Sequence, residues 1–153
     1  MKKTFILTIA FFWTLTNVRG QENISCDTTT FYKLIRLQIK YFDKQASDKY
    51  FISNKINRDN DTLPNWVKNT ICADITTLDH ITAKKGSIIS TDNYDNTSTV
   101  YFIFCPAYIQ KLNSYIIKVR HMSGEWGGAT VIYHYKKKGK TFRLTKKAVV
   151  SVS

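Results

Sequence analysis

The chain reads as an α+β domain, with N-terminal helices packed on a four- to five-stranded antiparallel sheet. Three observations predict this class. From Thr99 to Val152 apolar residues recur at every second position between turn residues, the period of half-buried strands. Around residues 30–46 they recur at spacings of three and four, the period of an amphipathic helix. The helical period comes early and the strand period late, so helices and strands are segregated along the chain.

The first twenty residues stand apart. Lys2 and Lys3 precede the apolar run Phe5–Leu15, and Val18 and Gly20 offer the small side chains that a signal peptidase reads. Residues 1–20 are therefore expected to be a signal peptide, cleaved near Gly20, and residues 21–153 a single globular domain that is secreted or periplasmic. The apolar run is shorter than the ~20 residues a spanning helix needs. No later stretch is longer, so no transmembrane segment is expected in the mature chain.

The first helix is expected over residues 30–46. Phe31, Leu34, Ile35, Ile39 and Phe42 form its apolar stripe, Lys33, Arg36, Lys40 and Lys44 its polar face, and Asp27 or one of Thr28–Thr30 its N-cap. A basic amphipathic helix can also lie on a membrane; packing on the sheet is the commoner use and the one expected here. Residues 49–56 (KYFISNKI) suit either a strand or an extended cover segment. Asn57–Thr62 is a polar turn whose Asn57, Asp59 and Asp61 alternate as in a calcium loop, but Thr62 stands where such a loop needs Gly and Lys68 where it needs Glu. A second helix is expected over 63–72, with Pro64 in its first turn. Residues 73–85 are irregular, 87–91 form a short strand, and 92–98 a turn-rich loop.

The strands follow. In the first, Val100, Phe102 and Phe104 share one face and Tyr101, Ile103 and Cys105 the other, which suits a central strand covered on both sides or a dimer interface. Pro106 marks a bulge or the strand end. In Ser114–Met122, Tyr115, Ile117, Val119 and His121 alternate with Ile116, Lys118, Arg120 and Met122, so one face is buried and the other basic toward its end. Gly127–Lys138 repeats the device, Lys138-Gly139-Lys140 is the hairpin turn, and the last strand runs from Thr141. A sheet curled round a helix, as in nuclear-transport-factor-like or cystatin-like folds, is one form of this arrangement.

Charge and cysteines narrow the function. Loss of Lys2, Lys3 and Arg19 with the signal lowers the net charge from +12 to +9, still a large excess for the domain. Such an excess favours an acidic protein or an envelope polyanion as partner, and for an exported protein it makes nucleic acid an unlikely one. Of three cysteines, Cys26 and Cys72 flank the helical part and are the preferred disulfide pair; Cys72 with Cys105 satisfies the same arithmetic.

Two places carry residue types suited to chemistry. In the glycine-rich loop 121–128, His121 and Glu125 offer an acid/base pair and Trp126 a stacking surface, with His134 one strand along. The alternative is a hairpin connection whose Trp caps the core. The last hairpin interleaves Lys136, Lys137, Lys138, Lys140 and Arg143 with Tyr133, Tyr135 and Phe142, and Lys146 and Lys147 follow; this is the cation-plus-aromatic character of a polyanion-binding face. The alternative is a solvated turn whose lysines keep other sheet edges away. No nucleophile elbow, phosphate loop, CxxC pair or HExxH is present, and neither metal nor cofactor is expected.

The segments YFIFCPAYI, SYIIKV and GGATVIYHYKKKGKTFRL resemble, over residues 100–147, small exported proteins of Bacteroidetes with no assigned activity. The likeness is an aromatic strand containing Pro, then a hairpin, then a Tyr-Lys-Lys-x-Gly-Lys turn leading to an aromatic. It implies no catalytic residue. The leading expectation is an exported, non-enzymatic binding or interaction protein. The alternatives are a small basic secreted hydrolase of nuclease type using histidine acid/base chemistry, which requires His121, Glu125 and His134 to converge, and a structural envelope protein.

Overall fold

The computed structural model describes residues 27–57, 71, 74–90, 98–124 and 127–152. Helix α1 spans Thr28–Gln45. Asp27 caps it: its carboxylate accepts the Thr30 amide at 3.1 Å and also the Thr30 hydroxyl. These two bonds hold the Asp27 carboxyl below its ordinary range. The helix stops where Ala46 turns extended, its amide still bonded to the Phe42 carbonyl at 2.8 Å. Phe31, Leu34, Ile35, Ile39 and Phe42 are buried as their spacing predicts, together with Gln38. Lys33, Arg36, Lys40 and Lys44 are exposed. The helix packs on the sheet.

Seven strands follow: β1 (Tyr50–Ser53), β2 (Gly86–Ile89), β3 (Thr99–Ile103), β4 (Ala107–Ile109), β5 (Ser114–Ser123), β6 (Gly127–Lys138) and β7 (Thr141–Val152). They form one sheet in the order β2-β1-β3-β5-β6-β7, with β4 also pairing with β5. The expected fold class is corrected on three counts. The sheet has seven strands, not four or five, and it is mixed: β1 runs parallel to both β2 and β3. Among the described residues there is a single α-helix, not several N-terminal ones. The second helix expected at 63–72 lies outside the described residues except for Ile71, which sits in a bend. The physical reason is length. Strands of four residues, as β1 and β2 are, show little alternation: 49–56 reads equally as a cover segment, and the strand expected at 87–91 forms as β2 without its pairing being legible. Their parallel pairing also depends on crossover connections that no local pattern encodes.

From β3 onward the expected strands form. β3 and β4 share β5 as partner: Ile103 pairs with Val119 and Ala107 with Ile116, so four steps on one side oppose three on the other. The extra residue is a bulge at Cys105-Pro106, where proline can donate nothing to the ladder. A short 3-10 turn, Gln110–Leu112, leads into β5 through Asn113 at φ 44°. Its side-chain oxygen accepts the Tyr108 hydroxyl at 3.1 Å. Gly139, at φ 60°, and Lys140 close the β6–β7 hairpin between the paired Lys138 and Thr141.

Alternation then sorts side chains onto two faces. Tyr101, Ile103, Ile117, Val119, Val131, Tyr133, Tyr135 and Phe142 meet α1 in the main core. A smaller apolar cluster of Ala107, Ile109 and Ile116, with Ile132 against it, lies on the opposite face. β3 is buried on both sides, Val100 on one and Ile103 on the other, as expected for a central strand. Lys118, on the face of β5 expected to be basic toward its end, is buried. It is only 4 % exposed, and its ammonium sits 3.9 Å from the centre of the Phe104 ring, which offsets part of the cost of burying the charge.

Candidate functional site on the basic face of the last three strands

The described residues from Ser114 to Val152 include no carboxylate, while β5, β6 and β7 carry lysine and arginine throughout. Register decides which of these cations act together. On the face turned away from α1, Lys136 pairs with Arg143 and His134 with Lys146; Lys138 follows at the hairpin end. Lys136, Lys138, Arg143 and Lys146 are exposed. A bulge at Thr145 separates the two rows, and the Thr145 hydroxyl donates to the His134 carbonyl at 3.2 Å. Arg120, exposed on the same face of β5 and paired with Thr130, lies roughly 14 Å along the strands from the His134 row. The charges repel one another, and an anion laid across the rows relieves that repulsion.

The remaining cations of the last hairpin belong elsewhere. Lys137 pairs with Phe142 on the helix side, and its charge helps to hold the Asp27 carboxyl low. Lys147 pairs with Tyr133, also on the helix side. Lys140 occupies the exposed turn.

Tyr133 and Tyr135 do not flank the basic rows. Odd-numbered positions of β6 point to α1, so both are buried in the core, and the Tyr135 hydroxyl donates to Gln38 Oε1 at 2.8 Å. Burial pushes both phenols above their ordinary range. The interleaving of cations and aromatics along the chain is thus unmixed by the two-residue period of the strand. The assembled face is cationic and not aromatic.

The histidines are also separated. His121 pairs with Ala129 and faces the helix side, where its ring lies 6.0 Å from that of Tyr101. His134 pairs with Ile116 on the far face. The sheet stands between them, so the structure does not bring these two imidazoles together as an acid/base pair. Each is held below its ordinary pKa, first by burial and then by a neighbouring cation, Lys147 for His121 and Lys146 for His134. Glu125 and Trp126 lie outside the described residues, as do Cys26 and Cys72. Cys105 is a buried thiol whose Sγ donates to the Ile71 carbonyl at 2.9 Å. Among the described residues no group of three His, Cys, Asp or Glu side chains is placed to hold a metal ion.

The cations of this face are visible in the sequence, but the linear order does not divide Lys146 from Lys147 between the two sides. Strand parity alone sorts Lys136, Lys137, Lys138 and Arg143; the sides of Lys146 and Lys147 depend on the Thr145 bulge, which leaves no local signal. No family model matches the chain, and neither a curated protein nor a solved structure proves similar to it.

Proposed function

We propose that this chain is an exported, non-enzymatic binding protein that takes an acidic partner, an acidic protein or an envelope polyanion, on the far face of β6 and β7. The observation that carries the reading is the pair of register rows Lys136–Arg143 and His134–Lys146, with Lys136, Arg143 and Lys146 exposed on a sheet region without a described carboxylate. Export rests on residues 1–20 and their signal-peptide pattern. Among the described residues no helix is long and apolar enough to cross a membrane.

The test is retention of the purified protein on a sulfated-polysaccharide matrix and on a poly-glutamate matrix, eluted by salt. Changing Lys136, Arg143 and Lys146 together to Gln is expected to weaken binding roughly tenfold, since exposed charges contribute about 0.5 kcal/mol each. Changing Lys137 and Lys147 to Gln should matter less. Failure to bind either matrix at low salt, or binding indifferent to ionic strength, sinks the proposal.

A further inference from the structure

The hydroxyls of Tyr50, Tyr108 and Tyr135 each donate to a protein acceptor: Asp43 at 2.9 Å, Asn113 at 3.1 Å and Gln38 at 2.8 Å. Those of Tyr41, Tyr101 and Tyr133 have no hydrogen-bond partner among the described residues. These three gather at one place, where the C-terminal end of α1 meets β3 and β6. Phe42 stacks on Tyr101 at 4.2 Å and stands edge-on to Tyr133 at 6.3 Å, while Tyr41 lies 5.4 Å from Tyr133. Tyr41 and Tyr101 are half-buried, so this aromatic cluster reaches the surface with hydroxyls that no described group engages.

Their neighbours answer in one chemical direction. His121 is the register partner of Tyr101, and Lys147 is the register partner of Tyr133. The ammonium can only donate, and the phenols and the imidazole can each donate a hydrogen bond as well as accept one. Asp43, the described carboxylate at this end of α1, is already occupied by the Tyr50 hydroxyl and by the Lys84 and Lys85 amides. The negative end of the helix is answered as well, because Lys85 Nζ donates to the Ala46 carbonyl at 2.8 Å. Beyond the helix on this same face, Val149 pairs with Val131 and Val152 with Ala129, the residue that also pairs with His121. Both valines are exposed, at 59 % and 77 %. Donors thus border an apolar surface.

We propose that this end of the helix-side face binds an organic carboxylate with an apolar body, its carboxylate held by Tyr41, Tyr101, His121 and Lys147 and its body lying on Val149 and Val152. An anion seated between His121 and Lys147 removes the unfavourable influence of the ammonium on the imidazolium. Binding should therefore raise the pH at which His121 titrates. This site lies on the opposite side of the sheet from the basic rows of β6 and β7 and is independent of them.

Octanoate is a suitable probe, with inorganic phosphate for comparison, and the ring-proton resonances of the three histidines report by nuclear magnetic resonance. Octanoate is expected to move the His121 resonance and not that of His134, to shift the His121 titration upward, and to bind in the range of ~1 mM. Lys147→Gln should weaken it about fivefold and Tyr101→Phe about threefold. Lys146→Gln, on the other face, should leave it unchanged. The proposal is overturned by any of three results. These are no His121 response to octanoate at ~10 mM, phosphate binding as tightly as octanoate, or Lys146→Gln weakening octanoate as much as Lys147→Gln does.

Discussion

The two faces of this sheet are made from the same strands, yet they are built on opposite terms. On the helix side, Tyr133, Tyr135 and Phe142 of β6 and β7 are closed over by α1. One residue away along each strand, His134, Lys136, Arg143 and Lys146 look outward from a region with no described carboxylate. Stability is concentrated on the first face and charge on the second. Substitutions on the two faces should therefore separate into those that unfold the protein and those that change what it binds.

The largest effect expected on stability comes from the helix side. Leu34 is fully buried between α1 and the sheet, and Leu34→Ala should destabilise by about 3 kcal/mol in urea unfolding. The Gln triple at Lys136, Arg143 and Lys146 should change the same measurement by less than ~0.5 kcal/mol. Equal effects would dissolve the contrast between the faces.

A smaller effect tests the parallel edge, whose pairing is not legible in the sequence. A Cβ placed on Gly86 would stand 2.4 Å from the Tyr50 ring, which packs over its register partner. Tyr50 cannot move freely, because its hydroxyl donates to Asp43. Gly86→Ala is expected to cost about 2 kcal/mol, and a neutral result would show that Tyr50 is not held there.

The smallest is at the helix cap. Asp27→Ala should cost about 1 kcal/mol near neutral pH. Because hydrogen bonds from Thr30 lower the folded-state pKa of Asp27, its contribution is present above the unfolded pKa of about 4 and is lost as pH falls through the lower folded value. The gap between variant and parent should narrow below about pH 4. Asp43 behaves alike. Burial raises its pKa, but the Lys85 and Lys84 amides and the Tyr50 hydroxyl outweigh burial and hold it low, so acid should loosen this anchor in the same window. A gap that stays constant down to pH 2 would show that the Asp27 charge contributes nothing.

Much of the fold is legible in the residues because its signals are local. Phe31, Leu34, Ile35, Ile39 and Phe42 carry the helical period in their own spacing, and the strands from Thr99 onward carry theirs. Gly139 announces its turn because few other residues accept φ 60°. The candidate site is legible only as a list of cations. Tyr133 and Tyr135 look like part of it while the chain is read as a string, since they interleave with lysines. The pleat then carries them to the opposite side.

What the chain settles without its tertiary structure is periodicity, charge and turn chemistry, each a property of neighbours in sequence. Partner choice is different in kind. That β1 lies parallel between β2 and β3, and that Tyr41, Tyr101 and Tyr133 meet beside His121 and Lys147, depend on how α1 and the strands assemble. Those contacts join residues far apart along the chain, and no local pattern encodes them.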